Sequence, residues 1–152
     1  MIKKILGVFF LAGLAIFLFI QVLPFGRDHS NPPVVQDAPW NSADAHAIAQ
    51  RACYDCHSNE TTWPWYSNIA PLSWLIQRDT LEGRRVLNFS VWGRGEQEMD
   101  EIAEVIREGE MPPLKYILLH PSARLSTSDK ESLLRGLPGL SSEMNENEEE
   151  GD

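Results

Sequence analysis

The sequence lacks the patterns that mark several large classes of protein. It has no basic patch interleaved with aromatic residues, so nucleic acid is not expected as a partner. It has no recognisable Ser-His-Asp set, carboxylate pair or phosphate-binding loop, so hydrolytic chemistry has no support and we do not predict an enzyme. No run alternates apolar and polar residues over the length of a strand, and no internal repeat is visible. The predicted fold class is therefore all-α, with long connecting loops.

Cysteine is scarce, since the 152 residues include only Cys53 and Cys56. The two lie three positions apart in the stretch RACYDCHSN, and His57 follows the second directly. The stretch permits three interpretations, namely a disulfide, a zinc site or an attachment point for haem. Each interpretation predicts a different protein.

The N-terminus carries a long apolar run. After MIKK, the residues from Ile5 to Ile20 include no charge, and the apolar residues at 22–23 extend the run. A membrane-spanning helix needs about 17–25 such residues, and no small-residue cleavage site of a signal peptide follows here. We predict that residues 1–25 form an uncleaved membrane anchor, with a removed signal as the alternative.

Charge on either side of this run predicts its orientation. Lys3 and Lys4 precede it and a single Arg27 follows soon after it, which places the N-terminus in the cytoplasm. The rest of the chain is then exported, and we predict a single-pass protein of the bacterial inner membrane with its soluble domain in the periplasm. Residues 26–39, rich in Pro, Gly and polar residues, predict an extended linker.

Most of the net charge of −9 belongs to the C-terminus. Residues 141–152 hold six acidic residues and no basic one, which leaves −3 for the rest of the chain. Such a block is typical of a disordered, solvated tail.

Residues 40–140 are predicted to form one small domain of short helices. The first helix follows Asn41 or Ser42 and continues through the cysteines to His57, the second begins at Pro71, the third covers about 97–107, and the last begins at Ser128 with a capping box to Glu131 and ends at Gly136. Apolar residues recur at helical spacing in the first two helices: Ala45, Ile48, Ala49 and Ala52, then Leu72, Leu75, Ile76 and Leu81.

A domain of this kind buries little apolar surface by itself. About 100 residues can fold unaided, but with a margin of only several kcal/mol. All five tryptophans of the chain lie in this domain: Trp40, Trp63, Trp65, Trp74 and Trp92. We therefore expect a large, flat cofactor to complete the core.

Two of the three interpretations of the cysteine pair encounter chemical difficulties. A disulfide between Cys53 and Cys56 would close a very small loop, against the geometry of a regular helix. A catalytic thiol pair would be expected near a βαβ pattern, and none is present. Structural zinc normally takes four ligands, whereas Cys53, Cys56 and His57 supply three at most.

Haem attachment accounts for the whole motif. Two thiols one helical turn apart can each add to a vinyl group of one porphyrin, and His57 can then bind the iron as proximal ligand. Export, the absence of other cysteines and a core that needs a cofactor favour one covalent haem c.

The chain resembles the bacterial haem-binding domain family of small exported c-type haem proteins. The resemblance rests on the blocks CHSNETTWPWYSN, GRRVLNFSVW and EGEMPPLKYILLHPSARLS, and it covers about 52–134. It implies a small helical fold around one haem, similar to class I cytochromes c. Many members of the family have a histidine near Asp79, where this chain reads RDT. A role proposed for that histidine cannot be transferred.

Met111 is the predicted sixth ligand of the iron. It lies in GEMPP, just past a predicted helix end, and this stretch resembles the methionine loop of class I cytochromes c. His120 is the alternative and would give a bis-histidine centre. Met99 lies at an inward position of the third helix and is expected to fill the core.

Five further residues are candidates for contact with the haem. Arg84 and Arg85 can hydrogen-bond propionates, because guanidinium suits carboxylates, although a surface ion pair is an equally simple role. Trp63, Trp65 and Trp74 are candidates for the wall of the haem pocket, with ordinary core packing as the alternative.

The sequence thus predicts a membrane-anchored periplasmic cytochrome that transfers electrons to and from redox partner proteins of the periplasm or inner membrane. The alternative is a haem protein with an open or labile sixth site that senses a small ligand or handles peroxide.

Overall fold

A computed structural model describes residues 1–93 and 99–140, and these ranges contain α-helices, short 3₁₀ helices and no strand. The α-helices are α1 (Ile2–Ile20), α2 (Ala43–Ala52), α3 (Tyr54–His57), α4 (Leu72–Val86), α5 (Met99–Glu108), α6 (Leu114–Leu119) and α7 (Thr127–Gly136). The 3₁₀ helices are Trp65–Asn68 and Pro121–Ala123. The predicted all-α class is confirmed. The predicted acidic tail and the first part of the third predicted helix, 97–98, lie outside the described residues.

α1 lies outside the packed part of the structure. It has 19 residues, and none of them is buried. Its length and apolar composition suffice to cross a membrane, a property that signal sequences share. At about 1.5 Å per residue it is about 28 Å long, close to the ~30 Å of a bilayer's hydrocarbon core.

The first predicted domain helix is interrupted at Cys53. α2 ends at Ala52, and α3 adds one further turn. The Cys53 N–H still donates to the carbonyl of Ala49 (2.8 Å), while the Cys53 carbonyl accepts from the N–H groups of Cys56 and His57 (3.1 and 2.9 Å). Cys53 itself leaves the helical conformation, with φ −126° and ψ −37°. The prediction of one continuous helix is wrong here, and the motif occupies a turn of its own.

The core lies where α2, α5 and α7 meet the segment after α4. α2 buries the residues of its predicted apolar face: Ala45, Ile48, Ala49 and Ala52. The larger members of the core cluster come from several elements: Ile48, Tyr54, Leu87, Phe89, Met99, Ile106, Leu133, Leu137 and Leu140. The expected core position of Met99 agrees with this packing.

The apolar residues of α4 do not form its buried face. Its buried residues are Ser73 and Thr80, whereas Leu72, Leu75 and Leu81 are exposed. Small side chains on the inner face allow α4 to approach its neighbours more closely than leucines would. The three leucines of the predicted stripe therefore face outward, while Ile76 is half-buried.

α7 begins with a capping box that differs from the predicted one. The Ser126 hydroxyl accepts from the Asp129 N–H (3.1 Å), and the Asp129 carboxylate accepts from the Ser126 N–H (2.9 Å). The predicted pair was Ser128 and Glu131. Both pairs have the same spacing, so the pattern alone does not choose between them.

Residues 26–39, predicted to form an extended linker, lie along the domain. Three hydrogen bonds show this: Asn31 to the Thr61 carbonyl (2.9 Å), Asn59 to the Pro33 carbonyl (2.9 Å) and the Ala38 N–H to the Phe89 carbonyl (2.9 Å). His29 of this segment stacks on Trp63 with 4.6 Å between ring centroids. The segment is thus bound to the folded domain along its length and is not a free tether.

Gly136 sets the close approach of α7 to α2. A Cβ at this position would overlap the Cβ of Ala45. We predict that Gly136→Ala lowers the free energy of unfolding by about 1–3 kcal/mol, because the two helices must separate. Glu131→Ala, exposed on the same helix, should change it by less than about 0.5 kcal/mol. Denaturant unfolding measures both, and equal effects would contradict this packing.

Candidate functional site

The two cysteines lie at the start and in the middle of the α3 turn, and they are not bonded to each other. Desolvation raises the pKa of the Cys53 thiol to about 12 and that of Cys56 to about 11. Both are therefore neutral thiols at physiological pH. A redox pair or a thiolate-activated nucleophile needs a lowered pKa, so this environment does not favour either use.

The ring of His57 is held in one orientation by a backbone carbonyl. Its Nδ1 lies 3.1 Å from the carbonyl oxygen of Leu87. Because a carbonyl only accepts, Nδ1 carries the proton and donates it. Burial lowers the pKa of His57, so the ring is neutral and the lone pair is on Nε2. A metal-binding histidine needs this tautomer, with one ring nitrogen bonded to a protein oxygen and the other free to bind the metal.

Two short stretches, residues 57–59 and 87–90, interlock around this bond. The Phe89 N–H donates to the His57 carbonyl (2.8 Å), so His57 bonds to this stretch through its ring and its backbone. The Asn59 N–H donates to the Ser90 hydroxyl (2.9 Å), and the Asn88 amide donates to the Asn59 side chain (2.9 Å). The sequence blocks CHSN and LNFS therefore form one hydrogen-bonded unit.

α4 packs directly against the backbone of the motif through Gly83. A Cβ on Gly83 would overlap the carbonyl oxygen of Cys56 and lie 3.1 Å from its Cβ. Any side chain at this position would push α4 away from α3. Neither Gly83 nor Leu87 was predicted as a site residue, although both lie inside the sequence blocks quoted for the family resemblance.

α6 approaches the motif from another side. The Tyr116 hydroxyl donates to the carboxylate of Asp55, between the two cysteines, at 2.7 Å. Lys115 forms an ion pair with Asp79 of α4 at 2.6 Å. These two contacts hold α6 beside α3 and α4.

His120, the alternative iron ligand, has a partner for each ring nitrogen. Nδ1 donates to the Tyr116 carbonyl (3.2 Å), so Nε2 accepts from the Tyr66 hydroxyl (3.1 Å). The ring also stacks on Tyr116, with 4.2 Å between centroids. To bind iron, this histidine would have to give up the Tyr66 hydrogen bond.

Met111 lies in the loop between α5 and α6, five residues before Tyr116. Its N–H donates to the Val105 carbonyl (3.2 Å), and its side chain is 39% exposed. Met99 is buried in the core beside Gly139. Of these two methionines, only Met111 has a side chain accessible to an added ligand.

The three tryptophans predicted to line the pocket lie in different surroundings. Trp65 is 76% exposed on its 3₁₀ helix. Trp63 stacks on His29 and donates to Asn31 (3.2 Å), so it packs against the 26–39 segment. Trp74 faces a groove of about 390 Å³ between α4 and residues 25–26, which does not include the cysteines. The positions of Trp63 and Trp74 give no support to the predicted pocket wall.

The Arg84 guanidinium donates hydrogen bonds to four oxygen atoms of neighbouring residues. It donates to the Ser58 carbonyl (2.7 Å), the Ser30 carbonyl (3.3 Å), the Asn31 side chain and the Thr61 hydroxyl (both 2.9 Å). These bonds join the motif to the 26–39 segment, a role that the sequence did not predict. Arg85 is exposed. Propionate binding by either arginine stays a prediction.

Apolar side chains are left exposed on the elements that flank the motif. α6 buries none of its residues, and Leu114 and Leu118 are 67% and 69% exposed. Each leucine would contribute about 1.5–3 kcal/mol if it were removed from water. This surface is not needed for the fit to a haem, which rests on the motif itself: two neutral thiols and an oriented, neutral imidazole on one helical turn.

The arrangement does not suit the zinc interpretation. Within residues 1–93 and 99–140, no group of three or more His, Cys, Asp and Glu side chains is placed to hold a metal ion. A closed structural zinc site would need four such ligands.

Comparison with known proteins identifies a family. A family model described as a haem-binding domain matches residues 15–138, which is well over half of the chain. Neither the curated proteins nor the solved structures contain a match. The family predicted from the sequence is confirmed.

Substitution of Gly83 tests the packing around the motif. We predict that Gly83→Ala destabilises the domain by about 1–3 kcal/mol and lowers the fraction of protein that carries haem, because α4 must move off the Cys56 carbonyl. Glu82→Ala, exposed next to it on the same helix, should leave both unchanged. Thermal unfolding and the ratio of haem absorbance to protein measure the two effects. Wild-type haem content and stability in Gly83→Ala would contradict the close approach.

Proposed function

The chain belongs to the family of haem-binding domains, and from that premise we propose that it is a membrane-anchored mono-haem c-type cytochrome that transfers electrons. The observation that carries this proposal is the state of the motif. Cys53 and Cys56 are unpaired thiols on their own helical turn, and the Leu87 carbonyl holds the His57 ring with its Nε2 lone pair available.

Each residue of the motif has a separate role in this proposal. Cys53 and Cys56 attach the haem through thioethers, and His57 is the proximal ligand. The haem, when bound, supplies an iron that changes its charge by one electron. The protein contributes the orientation of the imidazole and a partly dry environment, both of which set the reduction potential.

Met111 is proposed as the sixth ligand. Its loop leads directly into α6, which is bound to the motif through Tyr116 and Asp55. Met111 and Tyr116 are five positions apart, which limits the distance between their Cα atoms to about 17 Å. A thioether ligand raises the potential of a c-type haem. His120 is less suited, because Tyr66 and Tyr116 already engage its ring.

The proposed location follows from α1 and its charges. Lys3 and Lys4 at the start of α1 favour a cytoplasmic N-terminus, which puts the domain in the periplasm of a bacterium. Covalent haem attachment is compatible with an exported domain. The proposed partners are redox proteins of the periplasm or the inner membrane.

A second function is favoured by one observation. The Met111 side chain is partly exposed on a loop, so a small ligand could displace it from iron. The protein would then sense a small molecule or handle peroxide, with a labile sixth site.

Methionine substitution separates these two functions. In the oxidised wild type we expect a low-spin spectrum with the weak far-red band of methionine ligation, and we expect Met111→Leu to lose this band completely and to lower the reduction potential. Met99→Leu is the matched control; it should keep the band and cost less than about 1.5 kcal/mol of stability. A high-spin wild type would refute methionine ligation and favour the second function, whereas a band that survives in Met111→Leu would refute Met111 as the sixth ligand.

A further inference from the structure

Two hydrogen bonds join the end of α1 to the haem domain. The Gln21 amide donates to the Ala70 carbonyl (2.9 Å), and its oxygen accepts from the Ala70 N–H (3.0 Å). Gln21 directly follows the last residue of α1. The point where the helix ends and the start of α4 are therefore in contact.

The residues that follow Gln21 pack closely against α4. Gly26, at φ +73°, packs so closely on the backbone of Ser73 and Trp74 that a Cβ would lie 2.5 Å from the Trp74 nitrogen. Gln77 then donates to the Asp28 carbonyl at 3.4 Å. Residues 26–28 thus contact α4 between Ser73 and Gln77, next to the Gln21–Ala70 contact.

The apolar part of α1 is short for a bilayer. From Ile5 to Ile20 it is about 24 Å long, against a hydrocarbon core of about 30 Å. A stretch shorter than the hydrocarbon core is accommodated by local thinning of the bilayer, which keeps the residues just beyond the helix close to the lipid. The residues available directly after the helix include Val22 and Phe25, which are 80% and 66% exposed.

The domain itself has an exposed apolar residue close to the end of α1. Leu72 is 42% exposed, and it lies two residues from Ala70, so the two Cα atoms are at most about 7 Å apart. The interfacial zone of a bilayer leaflet is itself about 5–8 Å thick. Arg78, exposed in the groove that Phe25 lines, forms an ion pair with Glu82 of the same groove at 3.8 Å, so the groove offers no unpaired cation to lipid phosphates.

We propose that the haem domain docks on the periplasmic leaflet of the bilayer through a lipid-facing patch made of Val22, Phe25 and Leu72. This inference depends on the proposed retention of α1 as an anchor. The patch and the Gln21–Ala70 contact hold the domain at one height and one orientation above the lipid. The redox partners that such a domain reaches are those whose electron-transfer sites lie close to the same membrane surface.

A nitroxide label at Leu72→Cys tests the docking. The full-length haem protein is placed in nanodiscs of phosphatidylethanolamine and phosphatidylglycerol, and native Cys53 and Cys56 do not react because both are thioethers in this protein. Collisions of the label with oxygen and with a water-soluble nickel chelate report its depth. We expect the label to lose most nickel collisions and keep those with oxygen. The control is Glu131→Cys on α7, which packs on α2 and α5 and not on α4. Its label should collide freely with nickel.

Equal access of nickel to both labels would overturn the docking. Phe25→Cys provides a second labelled position if Leu72→Cys does not fold. The mass of the membrane-extracted protein and its haem absorbance are measured on the same samples. If α1 is cleaved, the proposed anchor fails and the docking fails with it. If α1 and haem are both present but the labels are in water, only the docking fails.

Discussion

The hydrogen bonds between His57 and the segment after α4 are the constraint on which the site depends. The ring donates to Leu87, and the backbone carbonyl accepts from Phe89. Together they fix both the position of the residue and the rotation of its imidazole. Leu87 and Phe89 are themselves buried in the core, so the orientation of the proposed iron ligand is tied to the stability of the whole domain. The sequence blocks CHSN and LNFS are therefore coupled, because they meet at these hydrogen bonds of His57.

The packing around the motif leaves apolar side chains exposed to solvent. α4 needs small residues on its inner face to reach α3, so its leucines point outward, and α6 buries none of its residues. A domain with a margin of several kcal/mol does not readily leave so many apolar side chains in water. In our proposals the lipid accounts for part of this surface, because it covers Leu72 beside the end of α1.

The sequence was sufficient for the elements that rest on local patterns. The α1 helix, the α2 face and the all-α class follow from periodicity and composition, and the cysteine pair with His57 is visible as a motif. The sequence was insufficient where a backbone group is the partner. The acceptor for His57 is a carbonyl 30 residues away, which no side-chain pattern reveals. The same is true of Gly83, where any side chain would overlap the backbone carbonyl of Cys56. It is also true of Arg84, whose hydrogen bonds go mostly to oxygen atoms of loops. The break at Cys53 could not be predicted either, since helix propensity alone continues α2 through the motif.

The most direct test of the account is the mass of the purified full-length protein made together with a bacterial haem-maturation system. We predict the mass of the polypeptide plus one haem, with a colour that stays on the chain after extraction with acid and acetone, because thioether bonds survive this treatment. A colourless chain with the mass of the bare polypeptide, or a haem that is extracted completely, would contradict covalent attachment at Cys53 and Cys56.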